Sequence, residues 1–245
     1  MTTQVFTAAE RPELAEDGIP SEEVWPEYNL HGQVTTRLWP RLYSDFPQFQ
    51  FGLYDAATGG LLAEGHAVPC WWDGSDTGLS SGVDETLQAA FERLDARGTF
   101  NTLCAMAAEI PPRSRGRGLA RALLEAMSTI AERSGLRHLI APVRPSMKDR
   151  YPITAIDRYV SWRREDGRLF DPWMRVHESL GALIGPTLPR SLRITGSVAQ
   201  WQAWTGMVFP DSGEYVFPLG LAPVSIDRDA DIGSYWEPNV WMIHR

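Results

Sequence analysis

Apolar residues recur along the chain with two different periods, and the change of period separates predicted helices from predicted strands. Between residues 28 and 42 the apolar positions have helical spacing. Two short apolar runs at 49–54 and 61–68 then flank the turn 55–60, which predicts a β-hairpin. The spacing of apolar positions over 83–94 predicts an amphipathic helix.

The clearest helix in the sequence follows a buried strand. Residues 100–110 form an apolar run that carries no charge before Glu109. Two prolines stop this run, because proline donates no backbone hydrogen bond and restricts the residue before it. From residue 119 onward one apolar face repeats at helical spacing until Gly135, a residue typical of a helix end. Residues 138–143 predict the next strand.

The remaining elements alternate between helix and strand. Helices are predicted over 157–164 and 172–180, the second with Asp171 as N-cap and Pro172 at its first position. Later strands are predicted at 192–194, 215–217 and 240–243. The first 24 residues are acidic and poor in large apolar groups, so we expect a solvated lead-in there. Residues 25–245 are expected to form a single α/β domain.

Composition narrows the class of protein. The 245 residues carry a net charge of −8, which does not suit a general nucleic-acid binder. No apolar run approaches the roughly 18 residues of a membrane span, and the N-terminus does not read as a secretion signal. Cys70 and Cys104 are too few for a disulfide framework or a four-ligand zinc site, and we interpret them as buried thiols of a reduced, cytoplasmic protein.

The start of the predicted helix at residue 119 is unusual because it is basic. A helix N-terminus carries partial positive charge and unpaired N–H groups, and it therefore favours acidic neighbours. Gly116 and Gly118 would let an anion approach the backbone closely. This segment therefore predicts an anion site that includes the arginines around the turn: Arg113, Arg115, Arg117 and Arg121.

Residues 110–124 resemble motif A of the GNAT acyltransferase superfamily. The resemblance implies an α/β GNAT acyl-CoA N-acyltransferase fold, with a mixed central sheet flanked by helices and with extensions at both termini. The core of that fold would cover about residues 49–193. We prefer the motif frame that starts at Arg115 over the one at Arg113. The resemblance implies that these residues bind the pyrophosphate and pantetheine of coenzyme A: Ala108, Ile110, Arg113, Arg115, Gly116, Arg117, Gly118, Leu119 and Ala120.

The same resemblance implies a catalytic position near the end of the helix at 172–180. Many members of the superfamily have a tyrosine there that protonates the departing thiolate, and His177 occupies the matching position. An imidazole with its ordinary pKa near 6.5 would supply both protonation states near neutral pH. Glu109 and Glu178 are candidates for the base that accepts the amine proton. Capping or packing roles stay open for all three residues.

A narrower resemblance links residues 141–146 and 171–177 to the GNAT-like loading domains of polyketide synthases. It implies that Ser146 and His177 together decarboxylate malonyl-CoA, with Trp39 and Arg193 lining the acyl pocket. The serine replaces the usual threonine, and no carrier-protein domain accompanies the sequence.

Three functional hypotheses follow. The first is transfer of an acetyl group from acetyl-CoA, or of another short acyl group, to a small-molecule amine without any metal. The second is malonyl-CoA decarboxylation or S-acyl transfer, and the third is a non-catalytic acyl-CoA-binding module. The expected partners are a small-molecule amine and neither nucleic acid nor membrane, and a homodimer stays open.

Overall fold

One mixed sheet of nine strands organises the protein in the computed structural model, which describes residues 2–244. All strand pairs are antiparallel except β4 and β5, which are parallel. The path through the sheet is β1-β2-β3-β4-β5-β9-β8-β7, and β6 pairs with β9. The strands are β1 (Thr3–Thr7), β2 (Gln50–Asp55), β3 (Leu61–Cys70), β4 (Thr102–Glu109), β5 (His138–Val143), β6 (Leu183–Gly196), β7 (Gly213–Tyr215), β8 (Val224–Asp227) and β9 (Ile232–His244).

Eight α-helices surround this sheet: α1 (Leu14–Asp17), α2 (Gln33–Leu38), α3 (Arg41–Asp45), α4 (Val83–Asp95), α5 (Leu119–Arg133), α6 (Ile156–Val160), α7 (Pro172–Ser179) and α8 (Val198–Thr205). The predicted helices at 83–94 and 119 onward and the predicted strand at 138–143 are confirmed. The N-cap role of Asp171 is also confirmed, because its side chain accepts hydrogen bonds from Trp173 N and Met174 N. Among the described residues, no helix is long and apolar enough to cross a membrane.

The predicted helix over 28–42 is interrupted. A short 3₁₀ helix covers Glu27–His31, and α2 and α3 follow on either side of Pro40. The physical reason is that Pro40 lacks the N–H that a continuous helix needs at that position.

Residues 2–24, expected to be a solvated lead-in, are mostly exposed, but they also add a strand and three buried side chains to the fold. The strand β1 pairs with β2 at the sheet edge, and Ala8, Leu14 and Ile19 are buried. Acidic composition did not indicate this, because backbone pairing at a sheet edge needs few apolar side chains.

The fold core also extends beyond the expected 49–193. β9 is a central strand that pairs with β6 along one edge and with β5 and β8 along the other. It contributes Val240 to Ile243 to the main apolar core and Tyr235 to a second buried cluster, which also contains Tyr28 and Trp201. The C-terminal residues therefore complete the sheet.

The two faces of the sheet carry different layers. A Cβ atom placed on Gly65 of β3 would contact Met127, so α5 covers that face. Neighbouring residues of a strand point to opposite faces. Glu64 and His66 therefore point away from α5, towards the N-terminal segment, where Ile19 N donates a 2.6 Å hydrogen bond to Glu64.

Candidate active site

The parallel strands β4 and β5 separate soon after they meet. They pair only from Thr102 to Cys104, opposite His138 to Ile140. Beyond Cys104, no strand among residues 2–244 pairs with the edge of β4 that faces β5. A cavity of about 990 Å³ opens between residues 105–110 and residues 141–144. The sheet therefore offers unpaired backbone groups to whatever enters the cavity.

The predicted anion turn lies at one end of this opening. Gly116 and Gly118 both have φ of +77°, in the left-handed region that favours glycine, and an added Cβ at either position would meet no atom within 4 Å. α5 begins directly after Gly118, so its first N–H groups face the turn. Ala108, Ile110, Arg115 and Ala120 line the cavity, and Leu119 is buried beneath them. This cradle fits a pyrophosphate.

The four arginines of the turn do not share one role. Arg113 pairs with Glu23, and Arg121 pairs with Glu125 at 2.8 Å. These carboxylates partly balance the charges of Arg113 and Arg121, which corrects the expectation that all four arginines are free to bind an anion. Arg115 lines the cavity, and Arg117 forms no ion pair with any residue between 2 and 244. These two are the arginines available to a phosphate.

His177 lies in the cavity wall, fully buried in α7 beneath Trp173. Its Nδ1 is 2.9 Å from Nε2 of His244, while its own Nε2 is buried without a hydrogen-bond partner. Burial, and to a lesser degree His244, lowers the pKa of His177 to about 3. The expectation that both protonation states are available near neutral pH is therefore wrong. The ring is neutral there and acts through one N–H and one lone pair.

Two other predicted catalytic residues differ in their surroundings. Ser146 borders the cavity, but its hydroxyl donates to Asp171 at 3.3 Å, and Asp171 also caps α7. Glu178 does not border the cavity, and it accepts a hydrogen bond from Leu169 N at 3.1 Å. Ser146 is therefore tied to a structural carboxylate, and Glu178 lies outside the site.

Glu109 borders the cavity and is buried within a polar cluster. Its carboxylate accepts a 2.6 Å hydrogen bond from Trp25 Nε1, and Oε2 is 3.9 Å from Nε2 of His66. Burial acts to raise the pKa of Glu109, but the hydrogen bonds and charge of its partners outweigh burial and lower it. Across the strand pair lies Glu64, whose pKa is raised by burial. We call Glu64, His66 and Glu109 the acidic cluster.

Of the two residues expected to line an acyl pocket, one lines the cavity and the other does not. Trp39 lines the cavity, with its ring centroid 5.3 Å from that of His66. Arg193 does not, because its exposed guanidinium lies over Trp236 at 5.6 Å. The expected pocket role of Arg193 is therefore wrong: alternation along β6 directs this side chain away from the cavity. Arg144, which directly follows β5, lines the cavity and pairs with the buried Glu237.

Sequence reasoning missed several cavity groups. Arg144, Glu237 and Asn239 meet where β5 leaves β9, and Asn239 Oδ1 is buried without a partner. His244 and Trp25 reach the site from the two ends of the chain. One feature of the sequence could have indicated these groups. Glu64 and His66 are polar residues at alternate positions of a predicted strand that is otherwise apolar.

Splayed parallel strands, a glycine turn at a helix start and a cavity between them define the GNAT acyltransferase fold. The loading GNATL domain of CurA from Lyngbya majuscula has this fold, with a TM-score of 0.59 and 16% identity over 100% of this chain and 98% of that one. The GphF GNAT-like decarboxylase, solved in complex with isobutyryl-CoA, gives a TM-score of 0.57 and 14% identity over the same shares. No protein-family model matches the sequence.

A curated relative is similar along nearly the whole sequence. It is the arginine N-acetyltransferase avaD of Aspergillus versicolor, 29% identical over 269 aligned residues that cover 97% of this chain and 92% of the relative. The predicted resemblance to the GNAT superfamily, the predicted fold class and the enzyme class of a GNAT-type acyltransferase are thereby confirmed.

Proposed function

We propose that this protein transfers a short acyl group, such as acetyl, from its CoA thioester to an amine of a small molecule. The observation that carries the proposal is one cavity that extends from Arg115 and Ala120, which flank the glycine turn, to the buried carboxylate of Glu109. Arginine, the substrate in the name of the curated relative, is the first amine to test.

The backbone would hold and polarise the acyl donor. Gly116, Gly118 and the first N–H groups of α5 would bind the pyrophosphate, with Arg115 and Arg117 adding charge. The unpaired edge of β4 beyond Cys104 would donate hydrogen bonds to the thioester carbonyl, whose oxygen gains negative charge as the amine attacks. The new C–N bond forms and the C–S bond breaks.

Two tasks in this reaction remain for side chains: to stabilise the departing thiolate and to accept the proton of the amine. When His244 donates to Nδ1 of His177, Nε2 of His177 carries the hydrogen, and this neutral donor would stabilise the departing thiolate. Of the two carboxylates predicted as proton acceptors for the amine, only Glu109 borders the cavity.

The second candidate is decarboxylation of malonyl-CoA. It is supported by the fold shared with loading-type domains and by Arg144 in the cavity wall, where a guanidinium can meet a carboxylate. Under this alternative the C–C bond to the carboxylate breaks, carbon dioxide leaves, and the remaining carbanion takes up a proton, which gives acetyl-CoA.

Mass spectrometry of products distinguishes these reactions. The protein is mixed with acetyl-CoA or malonyl-CoA, with and without a panel of amines that includes arginine. An acylated amine together with free CoA, formed only when both substrates are present, supports N-acyl transfer. Acetyl-CoA formed from malonyl-CoA without any amine supports decarboxylation. Binding of CoA without either product would leave an acyl-CoA-binding module as the function.

A further inference from the structure

The acidic cluster carries more negative charge than its surroundings balance. Glu64, His66 and Glu109 are each 1–2% exposed, and their ligand atoms lie within 4.8 Å of one another. Two carboxylates face one imidazole. Within residues 2–244 no lysine or arginine pairs with either carboxylate. With both carboxylates ionised, even a protonated His66 leaves one negative charge in excess, and burial raises the pKa of Glu64 because such an unpaired charge is costly.

An independent observation indicates that the cluster is incomplete. Oε2 of Glu64 accepts a hydrogen bond from Ile19 N, but Oε1 is buried without any partner. Oε2 of Glu109 is 3.9 Å from His66, too far for a normal hydrogen bond. Two carboxylate oxygens thus lack a donor at adjacent positions of paired strands.

The cluster is reached from the cavity through aromatic walls. Glu109 borders the cavity together with Trp25, Trp39 and Tyr43. The hydroxyl of Tyr43 lies close enough for both carboxylates to act on it; burial, and then Glu64 and Glu109, raise its pKa, so it stays neutral. Aromatic faces next to a carboxylate attract organic cations, and a guanidinium best of all because it is planar and weakly hydrated.

We propose that the acidic cluster binds a second positive group of the acceptor, a guanidinium or ammonium other than the amine that is acylated. This inference rests on the proposed function, since it names the acceptor class as a basic amine with two cationic groups. Glu109 makes the direct contact, while Glu64 and His66 hold it in place and complete the charge. The lowered pKa keeps Glu109 ionised as a counter-ion, and in this role the proton of the attacking amine leaves to water instead of to Glu109.

The test compares acceptors that differ in one charge. Arginine is set against citrulline, which replaces the guanidinium by a neutral urea, and lysine against norleucine. For the unmodified protein we expect kcat/KM to favour the charged member by roughly 30-fold or more, as for a lost hydrogen bond to a charged group. Equal use of both members would overturn the proposal.

The variant E109Q should abolish this preference mainly by raising KM for the charged acceptor. E64Q should weaken it, with the Gln carbonyl still able to accept from Ile19 N, and E92Q is the matched control because Glu92 is an exposed carboxylate of α4. An equal drop in kcat for charged and neutral acceptors in E109Q would assign Glu109 as a base and overturn the counter-ion role.

A binding measurement separates this inference from the proposed function. Arginine should raise the Tm of the unmodified protein and of E92Q but not of E109Q, whether or not any acyl group is transferred. If no amine is acylated while this pattern holds, the proposed function fails and the cation site stands. If Zn²⁺ alone raises the Tm of the EDTA-treated protein, E64Q loses that effect, and arginine has none, the cluster is a metal site and the proposal is wrong.

Discussion

His177 Nδ1 and His244 Nε2 lie 2.9 Å apart, which makes the penultimate residue of the chain the hydrogen-bond partner of the central cavity histidine. Two neutral imidazoles at this distance share one proton, and its position decides what His177 presents to the cavity. With His244 as donor, Nε2 of His177 carries a hydrogen; with His177 as donor, Nε2 offers a lone pair.

The variant H244A should misorient His177 without disturbing the donor site. We expect kcat to fall by roughly 10- to 100-fold, the range for a misplaced catalytic group, while KM for acyl-CoA changes little. H244Q, which restores a donor towards Nδ1, should recover part of kcat. The control H31A removes a half-exposed histidine that stacks on Trp204 outside the cavity. An unchanged kcat in H244A would show that His244 does not position His177.

Stability should decline as the pH falls below about 6.5. Burial lowers the pKa of His177 to about 3 and that of His244 to about 4. Between these values and the unfolded pKa near 6.5, the unfolded chain binds protons that the native state excludes, at about 1.4 kcal/mol per pH unit for each histidine.

The measurement is urea unfolding at pH 7 and pH 5 for the unmodified protein and H177Q. The difference in free energy of unfolding between the two pH values should shrink in H177Q, because one of the two histidines no longer titrates. The same difference in both proteins would contradict a depressed pKa for His177.

Substitutions at the glycine turn should separate backbone strain from ligand contact. G116A and G118A place an alanine at φ of +77°, which costs about 1 kcal/mol of stability. G135A is the matched control, since Gly135 has φ of +72° at the other end of α5 and likewise has no atom within 4 Å of an added Cβ. All three variants should lose similar stability.

Affinity for CoA should differ among the same variants. The added methyl of G116A or G118A would occupy the path of the pyrophosphate, so we expect Kd to rise roughly tenfold or more, equivalent to about 1.4 kcal/mol. G135A should keep the affinity of the unmodified protein. Isothermal titration with CoA measures this, and equal affinities across all three variants would place the pyrophosphate elsewhere.

The variant R193A should leave the kinetics of acyl transfer unchanged. Arg193 lies outside the cavity and over Trp236, an exposed cation–π contact worth about 0.5–1 kcal/mol. Its loss should lower Tm slightly, while KM for acyl-CoA and for the amine stays constant. A clear rise in either KM would restore the pocket role implied by the sequence resemblance.

Features that depend on local pattern could be predicted from the amino-acid sequence. The strand before Pro111, the turn around Gly116 and Gly118, and α5 follow from residues close in the chain. The turn was recognisable because basic residues at a positive helix end need an anion or carboxylate partners. The fold class followed from the order of these elements.

Which residues from distant parts of the chain share the cavity depends on the tertiary fold and could not be predicted. Glu64 and Glu109 are brought together by the register of β3 and β4, and His177 and His244 are 67 residues apart along the chain. Because side chains alternate along β6, Arg193 points away from the cavity. Arg144 lies in the cavity wall because β5 diverges from β9 there. Burial then changed the chemistry of His177, because a pKa depends on solvation and neighbouring charges that residue order does not contain.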